Sequence, residues 1–252
     1  MASLDYNKVA PEFDRRYVLY DYPGIRKCLL ELISNHDGAR ILEVGCGTGI
    51  WLSLLASAGC EIAGIEPSAQ MLALARARVN GDLREGAAEA LPWPDAWFDC
   101  IVYINALHHF ADPVRALQES FRVLRPGGRL LSVGLDPHQR TGRWYIYEYF
   151  PAALTTDLTR FPSREQRTLW LRNAGFDEIV VRVVEYLQFT LSFSQAVQDG
   201  VLERSFTSQL GLLSAEQYAA GMQRIQESAA KNEAFRLEVD LHLYSTVARK
   251  PV

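Results

Sequence analysis

Cysteine, methionine and histidine are scarce in this chain of 252 residues, which contains four cysteines, three methionines and five histidines. The cysteines form no C-x-x-C pair, and the only adjacent histidines are His108 and His109. Neighbouring residues on a helix or a strand point apart, so we expect these two side chains not to share a metal ion. The sequence therefore predicts reduced, buried thiols, no disulfide and no metal site.

The chain also lacks a large excess of charge and any long apolar run. Its net charge is −4 and its pI is near 5.8, so we do not expect a nucleic acid as a partner. No run approaches the ~18 apolar residues of a membrane span, and residues 1–7 are polar and acidic rather than an apolar targeting signal. We expect a cytoplasmic protein. Its 48% of hydrophobic residues suffices for a globular core of one large domain.

Strand and helix patterns alternate through the first half of the chain, which predicts a parallel sheet with helices on both faces. The predicted strands are residues 40–44, 61–66, 83–86, 100–104 and 130–133. Ser68 and Asp112 are placed to cap helices, and Pro126-Gly-Gly is expected to end the helix after Asp112.

The second half is less regular. Ser163 and Ser214 have the spacing of capping boxes. Residues 179–184 are predicted to form strand six. Residues 237–243 alternate between apolar and polar side chains, as in an antiparallel strand with one solvated face.

An apolar strand runs directly into the loop Gly45-x-Gly47-x-Gly49, and the next apolar run ends at Glu66. Glycines let a ligand approach the main chain because no Cβ intervenes. A βαβ unit brings the end of its second strand beside such a loop, where a carboxylate can accept both hydroxyls of a ribose. The combination predicts a nucleoside site. Ile50 stands where the dinucleotide motif G-x-G-x-x-G has its last glycine, which disfavours an oxidoreductase.

The run Glu-Val-Gly-Cys-Gly-Thr-Gly at 43–49 resembles motif I of the class I S-adenosylmethionine-dependent methyltransferases. Four further segments resemble, in order, motifs of the ubiquinone/menaquinone-biosynthesis type: 66–71, 86–99, 105–110 and 124–130. The resemblance spans roughly residues 38 to 134. It implies an α/β Rossmann-like fold with a seven-stranded, mostly parallel sheet. The antiparallel last strand would lie between strands five and six, with helices on both faces and a helical cap insertion.

The resemblance further implies that the cofactor is S-adenosyl-L-methionine and that a small molecule accepts its methyl group. Glu66 would hold the ribose, and Asn105 would offer its main chain to the cofactor's amino group. The expected cofactor-binding residues are Tyr6, Arg16, Glu43, Gly45, Cys46, Gly47, Thr48, Glu66, Pro67, Met71, Ala87, Ala88 and Asn105. Many relatives carry Asp or Asn at the position of Ala87, so only backbone groups there could bond the adenine.

We expect a single domain over residues 1–252. It would comprise an arm at 1–37 that covers the cofactor, a cofactor core at 38–134, and two substrate cap insertions at 135–162 and 190–235. The core motifs supply only cofactor contacts, so the cap should determine the acceptor. An aromatic run at 143–150 is either packing between cap and sheet (or between subunits) or a substrate wall. The substrate candidates are Trp144, Tyr145 and Tyr147.

Methyl transfer is an in-line displacement that requires alignment and exclusion of water, and a base only when a proton must leave early. His108 is the catalytic candidate, with a packing role as the alternative. The atom that accepts the methyl group (N, O, S or C) stays open. Two further hypotheses are a non-catalytic homologue, which Ala87 alone favours, and a homodimer.

Overall fold

The computed structural model describes residues 5–34, 38–139 and 142–252. In these ranges seven strands form one sheet in the order β3-β2-β1-β4-β5-β7-β6. The strands are β1 (Arg40–Val44), β2 (Glu61–Glu66), β3 (Asp82–Glu85), β4 (Phe98–Ile104), β5 (Leu124–Leu135), β6 (Asp177–Leu191) and β7 (Leu237–Arg249). Strands β1 to β5 are parallel, and β7 pairs antiparallel with both β5 and β6. The predicted fold class, including the position of the last strand, is confirmed.

Twelve α-helices surround the sheet in the described ranges. They are α1 (Tyr6–Val9), α2 (Arg15–Leu19), α3 (Pro23–Ile33), α4 (Ile50–Ser57), α5 (Ala69–Arg78), α6 (Pro113–Val123), α7 (Tyr145–Tyr149), α8 (Pro151–Arg160), α9 (Arg164–Asn173), α10 (Phe193–Gln198), α11 (Ser208–Gly211) and α12 (Ala215–Lys231). Short 3₁₀ turns lie at Ala10–Glu12, Leu107–His109 and Pro137–Gln139.

The predicted helix starts are confirmed by their hydrogen bonds. The side chains of Ser68, Asp112, Ser163 and Ser214 each accept a bond from the main-chain N–H three residues on. Such a cap satisfies one of the N–H groups that a helix leaves unpaired at its start. At Ser214 the capping box is complete, because the Gln217 side chain also bonds the Ser214 N–H.

The sheet buries both of its faces, so alternate residues of one strand belong to different cores. Ile41 packs in a core with α3, α4 and the cap helices, whereas its neighbour Leu42 packs in a second core with α6 and α9. Adjacent side chains of a strand point to opposite faces, which explains the apolar character of β1 and β4. The sheet is therefore rigid beneath the loops at its carboxyl edge.

Several predicted boundaries are wrong: β4, β5, β6 and β7 all extend beyond their predicted residues, and α6 ends early. Helix α6 ends at Val123, and β5 begins at Leu124 because Leu124 pairs with Phe98 and the Val123 carbonyl accepts from Trp97. The Pro126-Gly-Gly segment therefore follows the helix end, and Gly127 and Gly128 bond the main chain of Lys250.

Strand β6 does not end at Val184 but continues to Leu191, paired with β7 as far as Leu237. The last pair of β5 is Leu135 with Leu243. The stretch from Glu185 to Leu191 and its partner residues therefore project past the sheet as a two-stranded extension. Residues 190–191, the start of the second predicted cap insertion, therefore belong to β6, and α10 is the next element.

Candidate active site

The loop after β1 forms the floor of a cavity of about 260 Å³ at the carboxyl edge of the sheet. Gly45, Gly47 and Gly49 have φ angles of 74°, 52° and 75°, a backbone region that other residues rarely adopt. A Cβ on Gly45 would lie 2.8 Å from the Cβ of Ala106, so packing requires that glycine. A Cβ on Gly47 would approach only the Phe13 ring, at 3.7 Å. Gly47 therefore borders the open space of the cavity.

Glu66 ends β2 beside this loop and is 7% exposed. Its Oε2 accepts a bond from the Gly47 N–H and its Oε1 one from the Ser68 N–H, each at 3.0 Å. Burial raises the pKa of Glu66, and these two N–H groups oppose the rise. Because each carboxylate oxygen has two lone pairs, the side chain can bond a diol while it keeps the loop in place.

Two buried polar atoms on the wall have no hydrogen-bond partner among the described residues: Oε2 of Glu43 and Nε1 of Trp51. Glu43 is 1% exposed; its burial and then the nearby charge of Glu66 raise its pKa well above the usual range. Buried groups of this kind are rare in folded proteins unless a ligand or a water satisfies them. A ligand with polar groups fits this cavity.

The N-terminal segment is tied across the cavity by bonds to the cofactor core. Asn7 Oδ1 accepts from Ser68 Oγ at 2.8 Å, and Asp14 Oδ1 accepts from Thr48 Oγ1 at 2.6 Å. Arg78 pairs with the other oxygen of Asp14. These contacts hold α1 and α2 over the glycine loop.

Arg16 lines the cavity from this segment. Its guanidinium lies 4.0 Å from the centre of the Phe13 ring and donates to the carbonyls of Phe13 and Phe206, each at 3.0 Å. Within the described residues no carboxylate lies at salt-bridge distance from it. Its charge is thus available to an anionic group of a ligand.

His108 and His109 lie on the 3₁₀ turn after β4, with ring centres 3.9 Å apart. The expectation that these neighbours point apart is wrong, because the turn places both rings on the cavity wall. His108 stacks on Phe161 at 3.8 Å. His109 Nε2 lies 2.8 Å from the hydroxyl of Tyr6. No sequence motif indicated this contact between residues 103 positions apart.

Both imidazoles are neutral at neutral pH. Burial and the charges of Arg160 and Arg16 lower the pKa of His109 to about 3. Burial, His109, Arg160 and Arg167 lower the pKa of His108 well below its usual range. Protein surrounds His109 on most sides, yet much of its ring is open to the cavity. His108 can therefore accept a hydrogen bond in the cavity, and neutral His109 can accept the one from Tyr6.

Most of the residues expected at the site come together. Those that line the cavity are Tyr6, Arg16, Glu43, Gly45, Cys46, Gly47, Thr48, Glu66, Pro67, Met71, Asn105, His108 and Trp144. Asn105 has a φ of 52°, and its N–H donates to the Val133 carbonyl at 2.9 Å. The Asn105 N–H is therefore engaged, and the carbonyl oxygen of this residue is the main-chain atom that could accept a hydrogen bond from a ligand.

Four expected residues do not line this cavity. Ala87 is exposed and Ala88 packs in the core below, although Gly86 joins their loop to the Glu66 carbonyl. Tyr145 is buried, and its hydroxyl donates to the Val201 carbonyl. Tyr147 lines a second cavity of about 320 Å³, which shares Leu135, Trp144 and Leu241 with the first.

The rest of the cavity is lined largely by residues that the motifs did not indicate. They are Leu135, Phe161, Leu187, Thr207, Ser208, Gln209, Leu241 and Leu243. Leu187 and Leu241 face each other on the two-stranded extension. The apolar alternation of residues 237–243 was a signal for this wall, but nothing in the sequence marked Ser208 or Gln209.

The four cysteines are free thiols. Among the described residues, no group of three or more histidine, cysteine or acidic side chains is placed to hold a metal ion. No helix in the described part of the chain is long and apolar enough to cross a membrane.

Comparison with known proteins gives the family. The family model described as a methyltransferase domain matches residues 42–132. A demethylmenaquinone methyltransferase of Lactiplantibacillus plantarum is 30% identical over 69% of this chain and 86% of its own length. A malonyl-[acyl-carrier protein] O-methyltransferase of Pectobacterium atrosepticum is 34% identical over 61% of this chain and 70% of its own.

A solved structure gives the same result for the fold. A putative methyltransferase from an antibiotic biosynthesis pathway of Anabaena variabilis superposes with a TM-score of 0.68 at 23% identity. The match covers 89% of this chain and 96% of that protein. The chain belongs to the class I S-adenosylmethionine-dependent methyltransferases, and it is an enzyme that transfers a methyl group from S-adenosylmethionine to a small-molecule acceptor.

Proposed function

We propose that the cofactor and the acceptor occupy the two halves of the one cavity. The observation that carries this proposal is the unlike lining of the two halves. The half over β1, β2 and β4 holds the glycine loop, Glu66 and the Glu43 oxygen that lacks a partner among the described residues. The other half is lined mainly by leucines and aromatic rings, with Thr207, Ser208 and Gln209 as its polar residues. The two halves meet at the turn after β4, where Asn105 and His108 lie.

In the first half, the described residues fit S-adenosylmethionine, which supplies a methyl group on a positively charged sulfur. We assign the ribose hydroxyls to Glu66 and the amino group to the Asn105 carbonyl. Arg16 suits the carboxylate of the methionyl part, because that guanidinium has no acidic partner among the described side chains. Charge-assisted bonds of this kind are about twice as strong as neutral ones.

The remaining cofactor contacts follow the same arrangement. Gly45, Cys46, Gly47 and Thr48 line the loop, and Pro67 and Met71 flank the base from the start of α5. Tyr6 closes this half from the arm. We keep Ala87 and Ala88 as main-chain contacts for the adenine edge, since Gly86 ties their loop to Glu66.

In the second half, we propose an apolar, ring-containing acceptor. His108 and Phe161 offer stacked ring faces, and Trp144 forms the wall towards the second cavity. Neutral His108 can orient the accepting atom or take its proton late, when the gain of a methyl group has made that proton acidic. Tyr147 would meet only an acceptor that extends past Trp144, and we assign Tyr145 to the packing of the cap.

Three further proposals concern the surroundings of the enzyme. The net charge of −4 supports a partner other than nucleic acid. Exposed Val180, Val183 and Tyr186 on the edge strand β6 support a homodimer through that edge. The free thiols support a cytoplasmic location.

The division of the cavity is tested with Trp144→Ala. Affinity for S-adenosylhomocysteine, measured by calorimetry, should stay within about twofold, since Trp144 lies outside the cofactor half. Methyl transfer from a labelled donor into cell-extract metabolites should fall by roughly tenfold or more, because the acceptor loses a wall. Equal turnover in both proteins would place the acceptor elsewhere.

A further inference from the structure

A buried polar network joins three separate parts of the cap beneath the acceptor half of the cavity. Asp157 of α8 is fully buried and receives three hydrogen bonds. The donors are the hydroxyl of Tyr147 at 2.6 Å, Nε2 of Gln209 at 2.8 Å and Nε of Arg160 at 2.8 Å. Segments 145–149, 151–160 and 207–209 are thus fixed to one carboxylate.

Arg160 extends the network to the cavity wall. Its side chain is 8% exposed, and its Nη2 donates to Oγ of Ser208 at 2.7 Å. Both charges of this pair are out of water, where an ion pair is retained only if its other hydrogen bonds are well made. Here those bonds end on Ser208 and Gln209, which are each 8% exposed and line the cavity.

The network also fixes the chemical character that these two side chains present. A carboxylate only accepts, so the Gln209 amide nitrogen must face Asp157, and its carbonyl oxygen must face away from it. Ser208 Oγ already accepts from Arg160, so its own proton is left to donate. Two further groups of the described chain lie near Ser208 Oγ: Oε1 of Gln209, to which its proton is donated across a long 3.5 Å, and the hydroxyl of Tyr6, which also contacts His109.

We propose that Ser208 and Gln209 bind a hydroxyl group of the acceptor and thereby determine which acceptor is methylated. A hydroxyl donates one bond and accepts another, which matches a carbonyl oxygen beside a serine proton. Arg160, Asp157 and Tyr147 are positioning residues that hold this pair. The inference rests on the proposed placement of the acceptor in this half of the cavity.

The pair discriminates through the penalty for leaving it unbonded. An acceptor that lacks the hydroxyl would bury the Gln209 carbonyl and the Ser208 proton with little more than their weak mutual contact of 3.5 Å. A site built to bond a hydroxyl rejects the analogue without it more strongly than an apolar pocket rejects an added one. Ser208 and Gln209 therefore select by exclusion as well as by attraction.

The test compares 2-naphthol with naphthalene, which differ in one hydroxyl, on protein saturated with S-adenosylhomocysteine. Binding is followed by protein tryptophan fluorescence and ligand-observed NMR. Wild type should bind 2-naphthol about tenfold more tightly, as expected for one well-placed hydrogen-bonding pair. Gln209→Leu and Ser208→Ala should each reduce that preference to about twofold or less. Gln223→Leu, the same change on the exposed face of α12, should leave the preference intact.

Asp157→Asn tests the positioning role. It should lower the preference for 2-naphthol like Gln209→Leu, with unchanged affinity for S-adenosylhomocysteine. If it fails to fold, the two direct variants still decide the matter.

Three results would overturn the inference: equal binding of the two probes by wild type, binding of neither probe to cofactor-loaded protein, or a preference that survives in Gln209→Leu and Ser208→Ala. Failure of wild type to bind S-adenosylhomocysteine at all is a different result. It would overturn the placement of the cofactor, and the inference with it.

Discussion

The two halves of the cavity are assembled from very different kinds of chain segment. The cofactor half uses short loops that follow strands of the sheet. Residues within these loops determine their conformation: glycines with positive φ, the helix cap Ser68 and the carboxylate of Glu66. The acceptor half combines the β6–β7 extension with α8 and the 207–209 turn, and side-chain hydrogen bonds join the last two. Local chemistry builds the first half, and long-range packing builds the second.

This contrast explains how one fold can keep its cofactor while its acceptor changes. Replacement of a cap residue alters contacts over β5, β7 and β6 but leaves the glycine loop and its bonds to β2 unchanged. Function then changes at sites placed on a retained scaffold. Four variants probe the difference, beginning with the one expected to have the largest effect.

Gly47→Val should abolish cofactor binding. The new side chain would enter the cavity beside Phe13, and a φ of 52° strains any β-branched residue. We expect affinity for S-adenosylhomocysteine, measured by calorimetry, to fall by at least ~100-fold, the scale of ~3 kcal/mol. Gly59→Val is the matched control, because Gly59 also has a positive φ but lies against open space. An equal loss in both variants would assign the effect to backbone strain alone.

Glu66→Ala should weaken the same affinity by roughly tenfold or more, because a buried carboxylate bonded to a diol contributes about 1.5–3 kcal/mol. Part of the loss would come from the Gly47 N–H, which loses its acceptor. Glu85→Ala is the control, since Glu85 pairs with Glu66 in the sheet register but is exposed. Unchanged calorimetric affinity in Glu66→Ala would remove this carboxylate from the cofactor site.

Tyr6→Phe tests the bond that closes the arm over the boundary between the halves. Loss of the hydroxyl that contacts His109 should weaken S-adenosylhomocysteine binding about three- to tenfold, the value of one hydrogen bond. Amide exchange should rise in residues 5–20 of the complex while β1 and β4 stay protected. Exchange that does not change would show that Asn7 and Asp14 suffice to hold the arm.

His109→Asn should have the smallest effect at neutral pH, and its change should be visible only in the pH dependence of stability. The folded-state pKa of His109 lies near 3, below that of the unfolded chain, so the unfolded state binds the extra proton first as pH falls. Wild type should therefore lose stability from about pH 6.5 down to about pH 3, with a slope well below one proton from this residue, because much of its ring is open to the cavity. Denaturant unfolding at pH 7, 6 and 5 should show a shallower decline in the variant.

The groups that face His109 are Tyr6, His108, Arg16 and Arg160, and all but His109 are retained in that comparison. Glu43 and Glu66 have raised pKa values, so their contribution runs the other way and is lost as pH rises through those values. Both proteins share that contribution. Parallel pH profiles for His109→Asn and wild type would mean that the imidazole is solvated in the folded state.

The sequence predicted the parallel core with good accuracy because its signals are local. An apolar run with flanking glycines defines β1 at its observed residues, and Ser68 defines the start of α5. The sequence predicted the end of α6 at Pro126. The helix ends earlier, at Val123, because Leu124 already pairs with Phe98 in the sheet. The sequence also predicted the end of β6 at Val184, because the polar residues Glu185 and Gln188 interrupt the apolar pattern there. The strand continues through them because it pairs with β7.

For the site, motifs identified the loop and Glu66 since their spacing reflects one βαβ unit. The aromatic run 143–150 was singled out in the sequence as a set, but its members separate in space. Trp144 reaches the cavity, whereas Tyr145 bonds Val201 and Tyr147 bonds Asp157. No local pattern distinguishes these three residues, because their directions depend on which helix of the cap lies opposite.

The sequence by itself determined the class of cofactor site, because glycines and a carboxylate at fixed spacing impose a backbone that few ligands other than a nucleoside can use. Only the tertiary structure decided the rest. Tyr6 of the N-terminal arm meets His109, which lies 103 residues later in the chain. The side chains of Ser208 and Gln209 are oriented only by the buried pair of Arg160 and Asp157. The physical reason is that hydrogen bonds between remote side chains form only after packing has removed them from water.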